Sequence, residues 1–105
     1  MSRLHLGEAT TPDGGSVGVY PNPFVLQGAG ASLRFAGLPL GASLRIFSLG
    51  GELVAQLDGV PGQGTLEWQG QNQAGILVGS GIYFFVATDE AGHSTRGKFA
   101  VVSSQ

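Results

Sequence analysis

Three short stretches set the terms for this chain. In Leu33-Arg34-Phe35 two apolar side chains share one face and a charge takes the other. Leu66-Glu67-Trp68 repeats the arrangement, and near the end Phe99 and Val101 share a face while Lys98 points the opposite way. A period of two is the mark of a strand with one buried face, because successive side chains leave a pleated backbone on opposite sides. No stretch shows a helical period. Glycine punctuates the strands: 19 of 105 residues are Gly, against a usual share of about 7%. Gly50-Gly51 sits between the apolar runs of residues 42–57, where a tight hairpin turn needs positive φ. A second hairpin is expected over residues 81–102, turning near Asp89–His93. Its first strand is apolar on both faces, as suits a central strand.

About seven short antiparallel strands follow from this reading, and they argue for an all-β, immunoglobulin-like β-sandwich. The Cys…Trp…Cys pattern of antibody domains is missing, since the chain has no cysteine. A chain of 105 residues suits one domain with one core. Residues 1–16 read as a linker from a preceding domain, with Gly, Thr, Ser, Pro and Asp concentrated towards its end, and residues 17–105 as the sandwich.

Composition excludes several function classes. Net charge is −2, and the five basic residues (Arg3, Arg34, Arg45, Arg96, Lys98) are scattered, a poor footprint for nucleic acid or anionic lipid. No apolar run approaches the 18 or so residues of a membrane helix. The N-terminus lacks the apolar core of a signal peptide, so the chain is either cytosolic or a piece of a longer precursor; the linker-like composition of residues 7–18 favours the piece. His5 and His93 have no partner at metal-ligand spacing, no Ser lies in a nucleophile elbow, and no carboxylate pair suggests a glycosidase. The chain reads as non-enzymatic, without cofactor or metal.

"VYPNPF", residues 19–24, is the most unusual segment. Pro21 and Pro23 lack N–H donors and fix φ near −65°. Tyr20 and Asn22, each before a proline, are pushed to extended conformations. Such a segment is extended but cannot pair fully, which confines it to an edge or a crossing between sheets. Tyr20 and Phe24 are expected to anchor the kink on the core. One Pro-x-Pro is thin support for a proline-rich ligand.

Taken together, "VYPNPF", "LRFAGLPLGASLRIFSLGGELVAQL" and "GTLEWQGQNQAGILVGSGIYFFVATDEAGHSTRGKFAVV" resemble the C-terminal Ig-like domains of secreted bacterial proteins. Two related groups share the pattern: the sorting domain of the type IX secretion system, and the Ig-like domain of the flagellar hook-capping protein. The resemblance covers residues 19–102. Tyr20, Pro21, Asn22 and Pro23 match its opening motif, and Gly51 its hairpin glycine. Trp68, Gly70, Asn72 and Gly75 match its W-x-G-x-N-x-x-G loop, Gly81 and Tyr83 its G-x-Y, and Lys98 its late lysine. The chain ends three residues after Val102, as such a sorting signal does.

The resemblance implies a sorting and anchoring module that directs a secreted protein to the cell surface. Its partners would be the outer-membrane secretion machinery and an upstream cargo domain. In that reading Tyr20, Pro21, Asn22, Pro23, Gly81, Tyr83 and Lys98 mark the recognised region. Phe24, Gly51, Trp68, Gly70, Asn72, Gly75 and Phe99 hold the fold. The alternative is an Ig-like spacer on an extracellular enzyme or an appendage such as a hook cap. Many relatives carry Asp after the tryptophan. Here Gln69 stands there, and residues 69–76 contain no carboxylate, so a polar turn rather than a calcium loop is expected. Trp68, Tyr20 and Tyr83 could form a sugar-stacking platform, but alternation places Trp68 with Leu66 towards the core. An isopeptide bond through Lys98 would require a buried acid and an Asn or Asp partner.

Overall fold

The computed structural model describes residues 8–10, 16–26 and 30–103. It is all-β, two sheets closed on one core. The strands are β1 (Glu8–Thr10), β2 (Ser16–Tyr20), β3 (Phe24–Leu26), β4 (Leu33–Ala36), β5 (Ser43–Ser48), β6 (Leu53–Leu57), β7 (Thr65–Trp68), β8 (Gly81–Thr88) and β9 (Ser94–Ser103). One sheet runs β1-β2-β4-β7 and the other β3-β9-β8-β5-β6. Of the expected linker, residues 1–7 and 11–15 lie outside the described residues, while Glu8–Thr10 pair with Ser16–Gly18.

The expected strand count is too low, and not every pair is antiparallel. The kink at Pro21 and Pro23 divides the opening strand in two. β2 pairs antiparallel with β4 in one sheet, and β3 crosses to the other and runs parallel to β9. That division, together with β1, turns about seven expected strands into nine.

Alternation sorts the side chains as the sequence suggests. Val17, Val19, Leu33, Phe35, Trp68, Phe85, Phe99 and Val101 are all buried. Phe99 lies at the centre of an aromatic cluster. Its ring stands 5.6 Å from Phe35, 5.8 Å from Trp68 and 6.0 Å from Tyr83. The Phe35 and Trp68 contacts are edge-to-face, which suits the positive edge and negative face of aromatic rings. β4 and β7 thereby pack on β8 and β9, so the core joins the two sheets.

Both expected hairpins are present. β5 and β6 turn through Gly51 at φ +91°, with its N–H donating to the Ser48 carbonyl. β8 and β9 turn at Asp89–His93, where Asp89 Oδ1 accepts from the N–H groups of Ala91 and His93, each at 2.9 Å. These backbone bonds, that of His93 first, hold the Asp89 carboxyl below its ordinary range. β8 lies between β9 and β5, a central strand.

Candidate functional site

The candidate site is the rim where the opening motif meets the last strand. β9 is longer than its neighbour β3, and their pairing begins only at Phe24 opposite Val101. One residue earlier on β9, opposite Asn22-Pro23, the backbone pairing with β3 has not begun. The Asn22 side chain fills that position: the Ala100 N–H donates to Asn22 Oδ1 at 3.1 Å. An amide side chain thus extends a sheet by one rung past the prolines. The orientation has a consequence, for Asn22 Nδ2 is buried and finds no acceptor among the described residues. Both X-Pro bonds of the motif, Tyr20-Pro21 and Asn22-Pro23, are cis.

Phe24 is an anchor, 1% exposed, its ring 6.1 Å from that of Trp68. Tyr20 is not, and this corrects the sequence expectation. It is 49% exposed. The period of β2 sends Val17 and Val19 inward, so Tyr20 must point out, beside Arg34 on the neighbouring strand. Arg34 there pairs with Glu67 at 2.9 Å. The guanidinium, and after it the Ser32 hydroxyl, hold the exposed Glu67 carboxyl below its ordinary range.

The W-x-G-x-N-x-x-G loop meets the same rim from the other sheet. The Trp68 Nε1–H donates to the Gln71 carbonyl at 2.8 Å, and the indole is 2% exposed, which removes it from any sugar-stacking surface. Asn72 Oδ1 accepts from the N–H groups of Ala74 (2.9 Å) and Ile76 (3.0 Å), an amide-held turn with Gly75 at φ +82°. Gly70 does more. Its φ is +82°, and a Cβ there would stand 2.6 Å from Leu26 Cδ2 of β3. The loop glycine is therefore the surface on which β3 rests. A cleft beside the loop is walled by Gln56, Gln69, Gln71, Asn72 and Gln73 and has no carboxylate in its lining.

G-x-Y has a role that alternation did not disclose. Tyr83 is buried, and its hydroxyl donates to the Gly79 carbonyl four residues upstream at 2.8 Å. Burial pushes the phenol pKa up. Gly81 opens β8 opposite Val101, and in the adjoining turn Ser80 Oγ accepts from the Ser103 N–H at 2.8 Å. The structure therefore joins Asn22, Phe24, Gly70, Trp68, Gly81 and Tyr83 around the end of β9. Gly51 lies away from them in the β5–β6 turn, while Phe99 packs beneath Trp68 and Tyr83 in the core. Lys98 stands apart on the outer face of β9, exposed opposite Phe84, and among the described residues no acid is buried to serve an isopeptide bond. His5 lies outside the described residues. His93 is exposed in its turn, with Nδ1 3.4 Å from Asp89.

A solved structure has a similar fold. It is PorZ of Porphyromonas gingivalis, described as an essential bacterial surface component of the type IX secretion system. Identity is 30% and the TM-score 0.66, over 82% of this chain. The chain spans only 11% of the length of PorZ. No protein-family model matches the sequence. No curated protein matches it either. Among the described residues, no helix is long and apolar enough to cross a membrane, and no group of His and acidic side chains could hold a metal ion.

Proposed function

We propose that this chain is a non-catalytic, immunoglobulin-like module that works with the type IX secretion system at the bacterial surface, as a sorting and anchoring domain for a secreted protein. The observation that carries the reading is the likeness to PorZ, where 30% identity runs through 82% of the chain on a common fold. The immunoglobulin-like assignment is supported by the strand order and by the Tyr83 hydroxyl bond, which resembles the tyrosine corner of such sandwiches. In this reading the machinery recognises the folded rim rather than a linear peptide, since Asn22 and Ala100 are 78 residues apart yet bonded. The test is a secreted reporter fused to residues 17–105 in a bacterium with a type IX system. The reporter is expected at the cell surface, open to added protease. Its retention in the periplasm would count against the proposal.

A second reading has its own support. PorZ is about nine times longer than the matched segment, so such a module can be one part of a large surface protein. A spacer of that kind gives no export, but raises the melting temperature of the domain fused to it.

A further inference from the structure

Charge is unevenly divided between the two sheets. The five strands of the larger sheet contain Arg45, Arg96 and Lys98 and no Asp or Glu, in a chain whose net charge is −2. All three cations are exposed on the outer face. Among the described residues none of them has a carboxylate within ion-pair distance, whereas Arg34 on the other sheet does. The acids nearest in sequence, Glu52, Asp58, Asp89 and Glu90, are in the turns.

Register turns these residues into a grid. Arg45, Val86 and Arg96 form one row across β5, β8 and β9, and Phe47, Phe84 and Lys98 form the next. Leu53 extends the second row on β6. Phe84 is 37% exposed and Leu53 39%, so the row is an apolar stripe open to water. Arg96 and Lys98 lie two residues apart on one strand, about 6.8 Å, and Arg45 lies two strand spacings from Arg96, about 9.6 Å. Arg and aromatic residues together, without acids, are the composition of an interface centre rather than of ordinary surface.

We propose that this face docks an extended acidic segment of another polypeptide. Glutamates at alternate positions of an extended chain are spaced about 6.8 Å, the spacing of Arg96 and Lys98, and would bring carboxylates to unpaired cations. The methylene groups of the same glutamates, which share that face of the extended segment, would lie over Phe84 and Val86. Lys98 lies two residues from Ala100, the residue that bonds Asn22, so this face adjoins the rim; peptide binding and export are separate readouts, and the two proposals can fail separately.

The probe is an end-capped pentapeptide, Glu-Val-Glu-Val-Glu, titrated into the isotopically labelled chain and followed by amide chemical shifts. Shifts are expected at Arg45, Phe84, Val86, Arg96 and Lys98 and not on β4 or β7. They should fade in 0.5 M salt, roughly the range where exposed charges are screened within a few ångströms. The double variant R96Q/K98Q, whose side chains are exposed, should weaken binding at least about fivefold while leaving the rest of the spectrum in place. The same peptide with glutamine for glutamate should not bind. Absent or scattered shifts, equal binding of the glutamine peptide, or tighter binding to phosphatidylglycerol vesicles or to a sulfated polysaccharide would each overturn the proposal.

Discussion

Replacing Gly70 with alanine tests whether the tryptophan loop supports the opening motif. Two effects add. The backbone at φ +82° is unfavourable for any residue with a Cβ, by about 1 kcal/mol. The new methyl would also stand 2.6 Å from Leu26 Cδ2 and 3.1 Å from Cδ1. Leu26 is 1% exposed, so moving its methyls aside disturbs its packed neighbours, and overpacking adds about 1–3 kcal/mol. Gly75 isolates the first effect, having the same φ of +82° with nothing within 4 Å of an added Cβ. In urea unfolding Gly75→Ala should cost about 1 kcal/mol and Gly70→Ala about 2–4 kcal/mol. In a Leu26→Ala background the Gly70→Ala cost should fall towards that of Gly75→Ala, which a double-mutant cycle reports as coupling. If both glycine variants lose the same stability, and no coupling appears, the loop does not bear on β3 and the reasoning fails.

Other consequences are open to simple measurement. Asn22→Ala should speed hydrogen exchange of the Ala100 amide at least about tenfold, since its acceptor is gone; the global effect should be small, because the variant also removes an unpaired buried donor. Unchanged protection at Ala100 would mean that the Asn22 bond is not formed in solution. Tyr83→Phe removes one hydroxyl bond without changing shape and should cost about 1 kcal/mol, a melting-temperature drop of roughly 4–8 °C. Glu67 and Asp89 are held below their ordinary values of 4.5 and 3.8, so the unfolded chain binds their protons first on acidification. Their contribution is present above those values and lost as pH falls through and below them. Charge-neutral Glu67→Gln should flatten that part of the stability profile.

How much of this was legible beforehand depends on distance along the chain. The inward rows of β4, β7 and β9 could be read because a period of two is local, and both turns because Gly51 and Asp89 carry their own conformational preferences. Trp68 went where its parity with Leu66 pointed. The prolines disclosed that the opening segment must sit at an edge or crossing. They did not disclose that β3 would run parallel to β9, since that pairing joins residues almost eighty positions apart. Tyr20 was misplaced because the kink breaks the parity that would have linked it to Phe24. Counting from Val17 and Val19 gives the right face. The Tyr83 hydroxyl bond, four residues back to Gly79, had a signal in the short Gly79-Ser80-Gly81-Ile82-Tyr83 spacing. The Asn22 bond had none, because it depends on where the β3 ladder starts.

The central claim, that the folded module is an address for type IX export, is tested most directly in paired strains. The same signal-peptide–reporter–17–105 fusion is expressed with and without a working type IX machinery, and surface reporter is quantified by protease shaving of intact cells. Surface reporter in the competent strain alone is the expected result. Equal surface reporter in the two strains, or none in either, would contradict the account.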